Sequence, residues 1–349
     1  MSRLEDRYRR VLRFPPASYR EAWEEDMVGA FLASVQTDDP EADDYLADYG
    51  RPGWAEVASV LALAVRLRLG LDGGSRRSVA WGAAVRLVAL LGLLAGAVLG
   101  VVDVGIHSWL TGRIPGLAAP DWVVLGPTTF WLTMVHLGGL VWVVAYVALL
   151  RGHWQVARAL AVLGLASEVV AMVTTWGPPS LARWLYLLFG AILVLALGAY
   201  QGQHEPPPRI RPWLLALPLG ATATASLQLL GSSTEALWAF LDPAGLYSTA
   251  VLGAAAGYLV ARRLGRVDGA SAWPHALAIL AGGVLALRLL TALDYLRSIG
   301  PEQAPIMVTV GLAQACALLA IGLPLTAITR RALRQLRTEE PRGATMHST

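Results

Sequence analysis

Ionisable side chains inside long apolar runs are the residues of this chain whose type and position could support chemistry. Glu168 lies in the middle of one run, His136 near the middle of an earlier one, and Arg288 in the second half of a later one, with Asp294 near its end. A charge inside hydrocarbon is costly, so such residues mark a proton, ion or ligand site, or an ion pair that fixes helix packing. The sequence predicts that Glu168 pairs with Arg288, with His136 close by, and leaves both roles open.

Several other kinds of active site are excluded because the residues they need are missing. All 28 basic residues are arginine, so the chain has neither the lysine of a P-loop nor a Schiff-base lysine. A single cysteine, Cys316, excludes an intramolecular disulfide, a thiolate zinc cluster and a CxxCH haem attachment. No GxSxG nucleophile elbow is present. We therefore expect neither enzymatic activity nor a bound cofactor or metal.

The elements that must position these charges are apolar and helical. The chain is 55% hydrophobic and 15% charged, with a mean hydropathy of +0.51, whereas soluble domains are about a quarter charged. Each of eight apolar runs is long enough to cross the roughly 30 Å of a bilayer core. The runs are Val79–Val102, Val123–Leu150, Val156–Trp176, Leu181–Tyr200, Trp213–Leu230, Leu246–Leu264, Trp273–Leu296 and Ile306–Thr329. The sequence predicts an all-α polytopic bundle of about eight transmembrane helices over residues 79–329, with the lipid bilayer as its surroundings.

Arginines between the runs predict how the bundle is oriented. With residues 1–78 inside, no outer connection carries more than one arginine, and the outer arginines are Arg113, Arg183 and Arg297. The inner connections and the tail at 330–349 carry more, namely Arg151, Arg158, Arg209, Arg211, Arg262, Arg263, Arg266, Arg330, Arg331, Arg334 and Arg337. This positive-inside pattern predicts a multi-pass protein of the plasma membrane with both termini in the cytoplasm. The basic pI of 9.2 comes from these arginines, so no nucleic-acid partner is expected. Charges of the outer loops, Asp242 among them, are expected to be solvated.

Two sets of glycines recur at four-residue spacing. The first apolar run contains Gly92, Gly96 and Gly100, and the sixth contains Gly253 and Gly257. Small residues at this spacing allow helix backbones to approach closely. We interpret both sets as helix-packing positions inside one chain, with a homo-oligomer contact as the alternative.

An acidic segment precedes the first run. Residues 1–72 carry nine arginines against fourteen Asp and Glu residues. A helix ends at Phe14 because a proline follows it, and a second helix is predicted from about Ser18 to Val35. The sequence thus predicts a cytosolic helical hairpin over residues 1–36. Its aromatic and apolar stripe, the candidate surface for a cytosolic protein partner, contains Tyr8, Tyr19, Trp23, Met27 and Phe31.

Two further segments connect this hairpin to the first run. Residues 37–53 are acidic and have no sustained period, which predicts a flexible linker, with a short helix around Tyr45–Tyr49 as the alternative. Residues 54–78 are predicted to contain a juxtamembrane helix, Trp54–Leu69, which is too short to span a bilayer. This helix is expected to lie at the membrane surface or to dock on the protein.

One stretch of the N-terminal segment resembles a known family. Residues 7–32, RYRRVLRFPPASYREAWEEDMVGAFL, are similar to the HAAS-like, permease-prefix-type helical segment of actinobacterial membrane proteins, although Phe14 stands where an aliphatic residue is more usual. Such proteins are often encoded beside PadR-type regulators, so the resemblance implies a signalling or regulatory role with a cytosolic partner. The alternative is a transporter, or the membrane subunit of one, that uses Glu168 and Arg288.

Overall fold

The computed structural model is helical throughout the part of the chain that it describes. The described residues are 2–37, 39–71, 75–116, 137–174, 180–200, 210–231, 240–266, 272–298, 300 and 304–338. Within these ranges there is no β-strand. The chain divides into two compact units, and the division falls between Ala83 and Ala84, inside a long helix. We call residues 2–71 of the first unit the head and the second unit the bundle.

Four helices build the head around one small core. They are α1 (Arg3–Val11), α2 (Ala17–Val35), α3 (Pro40–Tyr49) and α4 (Trp54–Arg68). Tyr8 of α1 stacks on Phe31 of α2 with ring centroids 4.0 Å apart. Val60 of α4 joins the same core and is 1% exposed. Helices α1 and α2, predicted as a hairpin, therefore share their core with a third helix.

Helix α3 occupies most of the segment that the sequence predicts to be a linker. Asp39 caps its first turn by accepting a 3.0 Å hydrogen bond from the Glu41 amide, and Pro40 supplies a φ already suited to a first helical position. Glu41 and Asp43 then lie in the first turn, where negative charge favours the helix dipole. The linker prediction is wrong over Pro40–Tyr49, because these local capping signals act without a hydrophobic period. The alternative, a short helix around Tyr45–Tyr49, agrees with the structure, and the helix begins five residues earlier.

The bundle contains helices that fit a multi-pass membrane protein. Its helices are α5 (Arg76–Leu110, which begins in the first unit), α6 (Leu140–Leu150), α7 (Trp154–Thr174), α8 (Leu181–Ala196, extended by a 3-10 turn, Leu197–Tyr200), α9 (Ile210–Gly231), α10 (Pro243–Arg263), α11 (Trp273–Ser298) and α12 (Ala304–Thr338). Six of them are long and apolar enough to cross a bilayer: α5, α7, α8 with its turn, α10, α11 and α12.

The predicted number of eight spans stays a prediction. Of the second predicted span, the structure describes only the end, where α6 is a short apolar helix of eleven residues. The fifth predicted span corresponds to α9, which is not one of the six. Both the second and the fifth predicted spans affect only the number of spans, and the bundle of apolar helices is unchanged.

Two groups of helices pack within the bundle. Helices α5, α6 and α7 share a core with the 3-10 turn after α8, and α10, α11 and α12 pack on one another. Helix α8 contacts both α7 and α11 and so links the groups.

Glycines of α5 face neighbouring helices of the same chain. A Cβ added at Gly92 would lie 2.9 Å from Leu193, one at Gly96 would lie 3.3 Å from the Trp142 ring, and one at Gly100 would collide with the backbone oxygen of Gly139. Among the described residues, by contrast, no atom lies within 4 Å of a Cβ built at Gly253 or Gly257. The sequence predicted that these two glycines of α10 pack against another helix of the chain. They are instead exposed and do not pack against any described helix.

Candidate functional site

A fully buried arginine is the centre of the polar site in the bundle. Arg288 of α11 is 0% exposed. Its Nη1 donates to both carboxylate oxygens of Asp242, at 3.0 and 2.8 Å. The sequence predicted Glu168 as the partner of Arg288 and a solvated position for Asp242. The structure instead gives Arg288 an ion pair with Asp242, 46 residues away in the chain.

The carboxylate of Asp242 also holds the start of α10. Its Oδ1 accepts a hydrogen bond from the Gly245 amide, so Asp242 is the N-cap residue of that helix. Its Oδ2 accepts a hydrogen bond from the Tyr295 hydroxyl. Arg288 and Tyr295 are seven residues apart on α11, a spacing that places them on one helical face. One carboxylate therefore joins the beginning of α10 to two turns of α11.

Helix α12 closes the site from a third direction. A Cβ at Gly311 would lie 3.5 Å from Arg288 Nε, so the backbone of α12 passes next to the guanidinium. One turn further on, Gln314 is 5% exposed, and its Nε2 lies 3.5 Å from both the carbonyl oxygen of Gly245 and the hydroxyl of Thr249. The Oε1 of Gln314 is buried without a hydrogen-bond partner among the described residues.

Two tyrosines extend the site towards α7 and α8. Tyr186 of α8 and Tyr247 of α10 lie with ring centroids 6.2 Å apart. Tyr186 interacts electrostatically with both Asp242 and Arg288, and Tyr247 interacts with Glu168 of α7. Glu168, which is exposed, is thus connected to the Arg288 site through Tyr247. We call the set of Asp242, Arg288, Tyr295, Tyr186, Tyr247 and Gln314 the Asp242 cluster.

The other two predicted intramembrane residues have different positions. Asp294 caps α8, because its Oδ2 accepts a 2.9 Å hydrogen bond from the amide of Ala182. Asp294 is therefore a helix-capping residue that ties α11 to α8. His136 lies outside the described residues. Among the residues that the structure describes, no group of three His, Cys, Asp or Glu side chains could hold a metal ion.

The arrangement has two chemical capacities. The opposite charges of Arg288 and Asp242 offset one another, which makes the pair compatible with burial. Since α8, α10 and α12 begin and α11 ends near the cluster, it lies at one end of the bundle. There it can lock three helices together, or it can exchange its internal partners for a polar ligand or a proton.

The aromatic stripe predicted on the head is divided between core and surface. Tyr8 is 2% exposed and Phe31 is 8% exposed, so neither is available to a partner. Trp23 is 52% exposed and stacks on Tyr19 with ring centroids 6.4 Å apart. Met27 is half-buried below them. The part of the stripe that can bind a partner is therefore the Tyr19–Trp23 pair.

Charged groups lie on another part of α2, where it meets α1. The guanidinium of Arg9 contacts Glu5 at 3.0 Å, Glu24 at 3.4 Å and Glu25 at 2.7 Å, which links α1 to α2. The hydrogen bond from Arg9 keeps the pKa of the Glu25 carboxyl below its usual value. A groove on this side of the head is lined by Arg9, Arg20, Glu21, Ala22, Glu24, Glu25 and Asp26. This groove is accordingly lined mostly by acidic side chains.

Two stabilising contacts, one within each unit, were not predicted from the sequence. In the head, the Tyr8 hydroxyl donates a 2.9 Å hydrogen bond to Glu56 of α4, and burial together with this bond raises the pKa of Tyr8 well above its ordinary value. In the bundle, the Asp242–Pro243 pair before an apolar run is a helix-start signal that could have identified Asp242 as a cap. Its partner Arg288 left no such local signal.

Comparison with known proteins adds no relative. No protein family matches the chain, and neither a curated protein nor a solved structure matches it.

Proposed function

We propose that this chain is a signalling or regulatory protein of the plasma membrane whose head binds a cytosolic protein partner through the Tyr19–Trp23 pair. The observation that carries the proposal is the 52% exposure of Trp23, in a stripe whose other residues are buried or half-buried. Tryptophan and tyrosine supply large contact areas at low conformational cost and are enriched at the centres of protein interfaces. An exposed, stacked pair of them is a natural anchor for a partner.

The charge of the surface specifies the partner. Because Asp26 is exposed one turn from Trp23 on the same face of α2, the partner should present an apolar pocket bordered by arginine or lysine. Such charge complementarity accelerates association and weakens as salt screens it. The resemblance of residues 7–32 to HAAS-like segments supports the same role, and a protein encoded beside this chain is the first candidate partner. Both termini belong in the cytoplasm under this proposal.

Site-specific photo-crosslinking in the full-length chain tests the proposal. A photo-reactive amino acid at Trp23 should give an adduct with one cytosolic protein in the native host, and Asp26→Arg should reduce its yield. The same probe at Tyr45, which is 65% exposed on α3, is the matched control and should give no such adduct. Equal adducts from both positions, or none from Trp23, would contradict the proposal.

A second candidate function is transport, and the Asp242 cluster favours it. A fully buried guanidinium joined to a carboxylate, with Glu168 in electrostatic contact through Tyr247, is a plausible set of groups for coupled binding. Protein reconstituted in vesicles with an internal pH-sensitive dye should then dissipate a pH gradient, and Glu168→Gln should slow it. Rates equal to those of empty vesicles would exclude proton coupling.

A further inference from the structure

We propose that α4 lies in the surface of an anionic bilayer, with one exposed apolar face in the lipid and arginines at the headgroups. We call Trp54, Ala58, Leu61 and Val65 the α4 outer face. The proposal goes beyond partner binding by Trp23, which lies on α2.

Helix α4 has two apolar sides, of which one is buried and the other is exposed. Its inner face is buried in the head, with Val60, Ala64 and Leu67 at 1%, 4% and 8% exposure. On its outer face, Trp54, Leu61 and Val65 are 89%, 38% and 55% exposed. The helix therefore packs on the head with one apolar face and leaves a second apolar face uncovered.

The spacing of the α4 outer face makes it continuous. Its residues stand at i, i+4, i+7 and i+11, which is one stripe along a helix of 3.6 residues per turn. At 100° per residue, Arg66 and Arg68 fall on opposite sides of this stripe. Arg68 Nη2 donates a 2.9 Å hydrogen bond to the carbonyl oxygen of Phe14, so one nitrogen of its guanidinium is bound to the head.

Charge and chain continuity identify the bilayer as the occupant. An apolar stripe with a terminal tryptophan and arginines on both sides is the pattern of a helix lying in the membrane interface. The exposed face of α2 is acidic, whereas the flanks of α4 are basic and complement anionic headgroups. Helix α4 ends at Arg68, and the first candidate span, α5, begins at Arg76. Eight residues of chain reach at most about 28 Å, so α4 cannot lie far from the bilayer that α5 enters.

Spin-label depth measurements on the full-length chain test this inference. Cys316 is first replaced by serine, so that a cysteine at Leu61 can be labelled alone, in nanodiscs that contain phosphatidylglycerol. The label at Leu61 should collide more with oxygen and less with a water-soluble nickel reagent than a label at Ser59. Ser59 is exposed on the same helix, about 160° around the axis, and is the matched control.

Lipid composition and one substitution identify the source of the binding. Replacing phosphatidylglycerol by phosphatidylcholine, or introducing Arg66→Gln, should move the Leu61 label towards water. An unchanged circular dichroism melting curve would show that Arg66→Gln leaves the head folded. Equal nickel accessibility at Leu61 and Ser59 would overturn the inference. A Leu61 label shielded from both reagents would also overturn it, because that result would mean that protein covers the face.

Discussion

Arg288 brings a full positive charge into the interior of the bundle, and one carboxylate makes that position tolerable. Asp242 contacts the guanidinium with both oxygens while it also caps α10 and accepts a hydrogen bond from Tyr295. In each of these contacts the acceptor is a charged carboxylate oxygen, which forms stronger hydrogen bonds than a neutral oxygen does. The structural and the functional roles of the site depend on the same pair.

The ion pair predicts strong coupling between Arg288 and Asp242. Asp242→Asn keeps a capping side chain but leaves the buried guanidinium without a carboxylate, which should destabilise the protein by about 3–5 kcal/mol. Arg288→Met and the double variant complete a cycle, measured by SDS-induced unfolding in mixed micelles. The double variant should lose about 0.5–3 kcal/mol less than the sum of the single variants. Stronger coupling of Arg288 with Glu168 would instead support the pairing predicted from the sequence.

Tyr8 gives the head a dependence on alkaline pH. Its pKa is raised in the folded state by burial and by the bond to Glu56, so the folded head favours the protonated phenol. This stabilisation is complete below the unfolded pKa of about 10 and is lost as the pH rises towards the folded pKa. Tyr8→Phe should lower stability by about 1 kcal/mol at neutral pH through the lost hydrogen bond.

Thermal melts of both proteins at neutral and at alkaline pH measure this effect. The difference between the wild type and Tyr8→Phe should shrink above about pH 10. Tyr45→Phe, on the exposed surface of α3, is the control and should leave the profile unchanged. A constant difference at every pH would show that the folded head does not favour the protonated Tyr8.

At the scale of elements, similar glycine patterns have opposite surroundings. The α5 glycines face Leu193, Trp142 and the backbone at Gly139, so they bring helices together inside the chain. The α10 glycines are exposed, and no described helix approaches them closely. A four-residue glycine spacing therefore does not identify a helix interface by itself.

Matched glycine substitutions test this contrast. Gly100→Ala places a methyl group against the backbone oxygen of Gly139 and should destabilise the bundle by about 1–3 kcal/mol through overpacking. Gly253→Ala should be neutral or stabilise by about 0.5–1 kcal/mol, because alanine is the better helix former. Thermal unfolding in detergent compares them. Equal losses at the two positions would indicate that α10 also packs closely, for example against a second copy of the chain.

At the scale of the whole molecule, orientation in the membrane depends on the arginine distribution. The six candidate spans fit a multi-pass protein, and arginine-rich connections are retained on the cytoplasmic side. The proposed partner site, the α4 outer face and the tail would then all lie on the cytoplasmic side.

Cysteine accessibility tests this topology in intact cells. In a Cys316→Ser background, a cysteine at Thr111 should react with an impermeant maleimide added outside. A cysteine at His153 should react only after the cells are permeabilised. The reverse labelling would invert the molecule and remove the basis for a cytosolic partner. Labelling of both sites from outside would mean that they lie on the same side of the membrane, which contradicts a single span between them.

The residues differ in how far their positions could be predicted. Phe31 belongs to the predicted aromatic stripe, and it lies in the core of the head. Trp23 belongs to the same stripe yet is exposed, because α1 and α4 cover only one side of α2. Helix α3 was predicted only as an alternative, around Tyr45–Tyr49, because its start depends on the Asp39 cap, a signal that involves two residues and no period.

The sequence by itself determined that this protein is helical and apolar enough for a membrane, and it indicated an orientation. These properties follow from composition and period along contiguous residues, where hydrophobic burial and backbone hydrogen bonding act locally. Only the tertiary structure decided that Arg288 pairs with Asp242, that Asp294 caps α8 and that Trp23 is left exposed. Such contacts join residues distant in the chain, and several carboxylates could satisfy the same arginine. The packing of whole helices selects which of them comes within reach.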